Sequence, residues 1–407
     1  MKKRHVLSVA LAMMAAGHAA AQEYTMQVVL TDGTTQSFVV GEISEINWAP
    51  LEYKATLRQL PDLLHSRINP LLITEGDRYV LLGGHTDGFR RDGSVEVYEN
   101  GAWSDAGVSV YHDFGCQVRM KDGRTLLLGG TSSGSGVGQT SDAHIYDPAT
   151  GQITQIAGMN MARTMCTAAC LKDGKVLVAG NWYSNGSTLE LFDPETESFT
   201  LLDASLPNAV TEPIIIPTAD GGAALFARDN AYGSRVWNGD YYKLSPDGSV
   251  TSVHADGWEG LTPCAMESHY DFEHLYTADG LALFTAADNR GNTSIVSFDP
   301  ETETCGVVAS VTKETEGFDN PVVSSMIFVS KSKPYVHTII MDSYDTQKFC
   351  VKTYNYKTGS EICAPTVEQN AWFTAGRMLE NGELLFVGGS YGDNYTGRTD
   401  AYIVKPL

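Results

Sequence analysis

Side chains able to grip a ligand or move a proton recur at one phase of a repeating pattern. Counting back from each copy of a glycine-marked position to the start of its unit lands on Arg67, Asp113 with His112 beside it, Arg163, Thr211 with Glu212, His269, Asp319 or Asn320, and Trp372. These residues are polar or aromatic, yet each precedes an apolar strand. A second polar set follows the glycine positions and includes His85, Arg91, Trp182, Tyr183, Arg228 and Tyr391. Guanidinium forks match carboxylates, and aromatic planes suit sugar faces. A carboxylate or imidazole beside such a fork could act as an acid or base, and Glu212 and His269 are the candidates for that role.

The elements that must position these groups are strands. The phrase Lys172-Asp173-Gly174-Lys175 running into Val176-Leu177-Val178-Ala179-Gly180 returns as 121–130, as 380–389 and, more loosely, as 75–84. A turn, an apolar strand and a glycine pair at a spacing of about 45 residues define a repeat architecture. Each unit continues with a third strand that ends near an aromatic residue, as in Val95-Glu96-Val97-Tyr98 or Leu189-Glu190-Leu191-Phe192. A turn such as Asp193-Pro194-Glu195-Thr196 then reverses the chain, because proline presets φ and aspartate accepts backbone N–H groups. Four strands per unit without helical periodicity predict a β-propeller. Sandwiches do not repeat at this period. The apolar second strands number seven, from Val80–Leu82 to Leu384–Val387. The last unit lacks a fourth strand, and the stretch 54–61 reads as a fourth strand with nothing before it. The N-terminal strand is therefore expected to complete the last blade and remove a sheet edge.

Lys2, Lys3 and Arg4, the apolar run Val6 to Ala16 and the small residues Ala19-Ala20-Ala21 read as a secretory signal over 1–21, too short to span a bilayer. The chain is thus expected to be exported, to the periplasm, the cell envelope or beyond. Residues 22–50 read as a β-hairpin segment, and 51–407 as the propeller. Loss of 1–21 removes three basic and no acidic residues, taking the net charge from −21 to −24. Such a chain repels phosphate backbones, so nucleic acid is excluded as a partner, and no later stretch reads as a membrane span. The seven cysteines are irregularly spaced. Cys116, Cys166 and Cys170 sit in apolar strand patterns and read as buried thiols, while Cys350 and Cys363 flank a hairpin and could pair if the register allows.

The pairs Gly83-Gly84, Gly129-Gly130 and Gly388-Gly389, with Tyr98 followed by Trp103, resemble the signature of the kelch family, in its galactose oxidase-like branch, as an exported bacterial member. The resemblance runs from Tyr53 to the C-terminus and weakens in the middle, where Ala227-Arg228, Thr285-Ala286 and Met341-Asp342 replace the glycines. It implies an all-β, seven-bladed kelch-type propeller. Tyr111-His112 and His269-Tyr270, near Cys116 and Cys264, are superficially similar to the copper site of galactose oxidase. The cross-linked cysteine–tyrosine pair and extra domain of that enzyme are not expected here, so neither metal nor cofactor is. Exported kelch propellers that interconvert sialic acid anomers are also similar. They would place Arg67 or Arg163 on the sugar carboxylate and Glu212 or His269 as acid/base, but that family has six blades. The reading is an exported binding module that recognises a glycan or a protein partner at the channel mouth. The proposed contacts are Arg67, His112, Asp113, Arg163, Glu212, Arg228, His269, Trp372 and Tyr391. A sugar mutarotase, epimerase or lyase and a non-catalytic interaction platform are the alternatives.

Overall fold

The computed structural model describes residues 25–29, 35–39 and 55–406, apart from short segments at 133–137, 184, 228, 232–233, 238, 265–271, 343–347, 369–372 and 391–395. The chain divides into two units, Met1–Glu52 and Tyr53–Leu407. Within the first, Thr25–Val29 pairs antiparallel with Thr35–Val39, Met26 facing Phe38.

The second unit is a seven-bladed β-propeller of antiparallel sheets. Blade 1 consists of Leu71–Glu75, Arg78–Leu82, Ser94–Glu99 and Ala102–Ser109, from inner to outer strand. The next five blades occupy 116–156, 167–205, 214–254, 261–311 and 321–367. The seventh joins Ala375–Met378, Leu384–Val387 and Ala401–Lys405 to Thr56–Gln59, with Leu57 opposite Val404 and Arg58 opposite Ile403. The ring is therefore held shut by main-chain hydrogen bonds between the two ends of the unit, extended by Leu60 N–H donating to the Ala401 carbonyl at 2.9 Å. Among the described residues no helix is long and apolar enough to cross a membrane.

Second strands are apolar on both sides because each is covered by a neighbouring blade on either face. Leu126, Leu127 and Leu128 are fully buried, as are Val176, Leu177 and Val178. Outer strands are largely exposed instead, as Ala102–Ser109 and Gln152–Ile156 are. Burying a leucine or valine side chain contributes about 1.5–3 kcal/mol, so these strands are where the sheets cohere.

The glycine pairs sit where blades meet. Gly130 N–H donates to the carbonyl of Arg163, in the loop leading into blade 3, at 2.8 Å. Asn181 does the same to Val210 of blade 4 at 2.9 Å, and Gly389 to Arg67 of blade 1 at 2.7 Å. In blades 2 and 7 the preceding glycine must accommodate that same carbonyl. A Cβ on Gly129, whose φ is +64°, would lie 2.6 Å from the Arg163 oxygen. A Cβ on Gly388, with φ +61°, would lie 2.6 Å from that of Arg67.

Two expectations are corrected by the register. Cys350 faces Thr366, and Cys363 faces Thr353, so this pair is out of step and both thiols are free. In blade 5 the inner strand is Leu261–Pro263, paired with Ala286–Asp288, rather than a strand beginning after His269. After a 3₁₀ turn at Phe272–Leu275 only a single bridge, Tyr276 to Ala282, resumes the pairing. Blade 5 has no glycine pair, so counting back from it loses phase.

Gly129→Ala should destabilise the protein by roughly 2 kcal/mol or more, since the left-handed backbone and the overlap with Arg163 act together. Gly382→Ala also has positive φ, +83°, but open space around a Cβ. It should cost only the conformational part, about 1 kcal/mol. Denaturant midpoints of the two variants check this, and equal losses would refute the blade-contact explanation.

Candidate functional site

Strand register fixes which lead-in residues are equivalent. Leu71, Cys116 and Thr167 each open an inner strand and face the residue just before the glycine position. Four residues upstream stand Arg67, His112 and Arg163. His112 and not Asp113 thus occupies the arginine phase.

Both arginines are fully buried and turned into their own blades. Arg67 donates to the Gly83 carbonyl (2.7 Å), the Ser94 carbonyl (2.8 Å) and Glu96 Oε1 (3.2 Å). The Glu96 carboxylate in turn accepts Leu64 N–H at 2.7 Å and His65 N–H at 3.1 Å. Blade 3 repeats the device. Arg163 donates to the Gly180 carbonyl (3.2 Å), Thr188 Oγ1 (2.9 Å) and Glu190 Oε1 (3.0 Å), and Glu190 accepts the N–H groups of Asn160 (2.7 Å) and Met161 (3.2 Å). A carboxylate from the third strand pins the lead-in loop, and the arginine neutralises it. The two arginines are therefore not ligand-facing forks, which corrects the expectation from sequence. In blade 6 the Asp342 carboxylate performs the pinning, accepting Asp319 N–H at 2.8 Å and Asn320 N–H at 3.0 Å.

Blade 2 fills the same two slots with imidazoles. His112 Nδ1–H donates to the Gly129 carbonyl at 2.7 Å, and its Nε2 lies 3.0 Å from Nδ1 of His144, which stands at the strand phase of Glu96 and Glu190. Burial pulls the His112 pKa down to about 4, and His144 is lowered too, by burial. Glu96, His144 and Glu190 were legible signals that the spacing argument passed over: each is an ionisable residue in the middle of an apolar third strand, at one offset.

Asp113 points the other way, across the junction to blade 1. Its Oδ1 meets His85 Nδ1 at 2.8 Å, and its Oδ2 accepts the Thr131 hydroxyl at 3.1 Å. The His85 ring lies between Phe89, with centroids 4.9 Å apart, and Phe114, 5.4 Å apart. Its Nε2 is buried without a hydrogen-bond partner among the described residues. With Nδ1–H directed at the carboxylate, Nε2 carries the lone pair, the arrangement of an oriented general base.

Glu212 is half-buried with φ +47°, and its N–H donates to the Met165 carbonyl at 3.1 Å. It belongs to a series. Asn69, Phe114, Met165 and Glu212 each stand two residues before an inner strand with φ between 47° and 54°. Met165 N–H donates to the Phe114 carbonyl at 2.8 Å, so the series links blades 2, 3 and 4 through their backbones. His269, Trp372, Arg228 and Tyr391 lie outside the described residues.

Among the described residues the exposed aromatic side chains are Tyr111, Trp182 and Tyr183. All three are on the lead-in or second-to-third loops of blades 2 and 3, hence on one rim. The Arg91 guanidinium lies 5.1 Å from the Tyr111 ring centre, and the ring packs where Gly93 has no side chain. The Tyr183 hydroxyl accepts Gly138 N–H at 3.0 Å.

No protein-family model matches the sequence, and no curated protein matches it. Among solved structures the chain is similar to a fungal alcohol oxidase of the AA5 family, solved in complex with copper. The TM-score is 0.57 over 86% of this chain and 76% of that one, at 13% identity. At that identity the likeness shows the fold alone, and the fold fits a kelch-like, galactose oxidase-like propeller. It is compatible with a binding module or with a sugar-active enzyme. The described residues do not fit a copper site of the kind the resemblance suggests. Both nitrogens of His112 are engaged, and Cys116 Sγ faces Cys166 Sγ at 3.6 Å rather than a tyrosine. His112 and Asp113 diverge to separate partners. Among the described residues no group of three or more histidine, cysteine, aspartate or glutamate side chains is placed to hold a metal.

Two predictions follow from these buried charges. Glu190→Ala should cost about 3–5 kcal/mol by stranding the Arg163 charge, whereas Arg163→Met with Glu190→Leu should restore much of it; urea denaturation of the single and double variants reads this directly. The stability contributed by the two buried neutral histidines should also be constant above about pH 6.5 and fall as pH drops toward 4. His112 and the buried His337 have folded pKa values near 4, against about 6.5 unfolded, so only the unfolded chain takes up their protons in that window. Each contributes up to ~1.4 kcal/mol per pH unit. His337→Gln should flatten the slope of denaturation free energy against pH by up to one proton, and an unchanged slope would contradict the assignment.

Proposed function

We propose that this protein is an exported binding module whose rim over blades 2 and 3 takes a carbohydrate. The observation that carries the reading is the grouping of Tyr111, Trp182 and Tyr183, the exposed aromatics of the described chain, on one loop-bearing rim of a rigid ring. Loops held by a scaffold are where binding concentrates, and exposed aromatic planes offer an apolar face to sugar C–H groups. A buried polar network braces the loop beneath them. Asn181 Nδ2–H donates to Gln139 Oε1 at 2.6 Å, and its Oδ1 accepts Thr164 N–H at 2.9 Å. The ligand class is a neutral glycan in preference to an acidic one. Arg67 and Arg163 are engaged by Glu96 and Glu190, and the net charge of the chain is −21. Recognition by arginine forks is thus replaced by stacking.

A sugar-active enzyme is the second reading, supported by His85. An imidazole oriented by Asp113, with an unpartnered Nε2 in an aromatic slot, is able to accept a hydroxyl proton once a ligand displaces Phe89.

A thermal-shift and calorimetric screen of neutral and acidic oligosaccharides tests both. Neutral glycans should raise the unfolding temperature. Trp182→Ala should weaken binding about tenfold, the effect of losing one stacked ring, with the fold unchanged. Silence across neutral sugars would transfer the rim to a protein partner. If a bound sugar is converted, followed by NMR, His85→Gln should abolish conversion while leaving affinity within about twofold.

A further inference from the structure

Cys116 opens the inner strand of blade 2, and Cys166 immediately precedes the inner strand of blade 3. Their sulfurs are 3.6 Å apart, and neither residue is more than 1% exposed. The backbone on each side is already tied across the junction: Met165 N–H donates to the Phe114 carbonyl, and Gly130 N–H to that of Arg163, both at 2.8 Å. Val118, Leu128, Ala168 and Val178 surround the pair with apolar contacts.

We propose that Cys116 and Cys166 are a modification site, forming an inter-blade disulfide when the chain folds in the presence of a disulfide oxidant. A bond requires the sulfurs to close from 3.6 Å to about 2.05 Å. The reaction is thiol–disulfide exchange. The thiolate of one cysteine attacks a low-molecular-weight disulfide and releases one thiol, leaving a mixed disulfide. The second cysteine attacks that bond and releases the other thiol. The two cysteines are oxidised, the oxidant is reduced to two thiols, and the two cysteine protons end on them. Since both sulfurs are buried in the folded ring, the bond forms before the two blades close on each other and is afterwards shielded from reductants. It would link residues 50 positions apart, a span whose closure removes much freedom from the unfolded chain. The inference is independent of what the rim binds.

The test is a thiol count under denaturant, on the full chain secreted through an oxidising compartment and on the same chain refolded with oxidised and reduced glutathione. Five thiols of the seven, with a single cross-linked peptide carrying Cys116 and Cys166, in either preparation is the expected result. Seven thiols in both preparations overturns the proposal. Cys116→Ser, treated alike, should show six thiols; four would put the bond between other cysteines and overturn it equally. In the wild type the disulfide should resist dithiothreitol until denaturant is added. Reduction of the folded protein at the same rate as the unfolded one would refute the claim of formation before closure.

Discussion

The carbonyl oxygen at the start of one blade docks into the glycine-marked end of the previous blade's second strand, and the geometry of the ring depends on that contact. A hydrogen bond from Gly130, Asn181 or Gly389 holds the oxygen, and a missing side chain at Gly129 or Gly388 admits it. Neither half suffices alone. Without the hydrogen bond a buried carbonyl would be left unpaired, and with a Cβ the blades could not approach. The apolar second strands supply cohesion between blades, but cohesion is non-directional. At these junctions the docked carbonyl sets where one blade sits relative to the next, and Gly389 with Arg67 applies the same rule across the point where the chain's ends meet.

That contact explains why the arginines are structural. The loop whose carbonyl is docked has N–H groups to satisfy as well. A carboxylate from the third strand collects two of them, and a guanidinium neutralises the carboxylate while gathering nearby carbonyls. In blade 2 a histidine pair holds the loop without charge, and in blade 6 the Asp342 carboxylate, at the end of the second strand, collects the N–H groups instead. The same problem is solved with different chemistry from blade to blade, so side-chain type at this position reports on loop anchoring and carries no message about a ligand.

The parts of the fold written in local pattern were readable from sequence. Val176-Leu177-Val178, the Asp-Pro turns and the glycine pairs each reflect a short-range need: burial on two faces, chain reversal, close approach. Positions at the channel mouth were less readable, for two reasons. The hairpin joining first to second strand varies in length, Leu71 facing Leu82 but Cys116 facing Leu128, so counting back from the glycines slipped by one residue and promoted Asp113 over His112. An arginine before a strand also looks the same whether its partner is a substrate or a glutamate some 30 residues later, such as Glu96 for Arg67. The partner could have been found from Glu96, His144 and Glu190 lying at one offset inside apolar strands. Blade 5 resisted because it lacks the glycines and, among the described residues, its inner strand is limited to Leu261–Pro263.

Asn69, Phe114, Met165 and Glu212 adopt a left-handed backbone without being glycines, and the peptide groups of Phe114, Met165 and Glu212 hand hydrogen bonds from blade 2 to blade 4. Side chains of unrelated character share one torsion there because the peptide links, not the side chains, hold the arc. Along that arc the frame is consequently set by the main chain, which leaves the side chains it carries open to change.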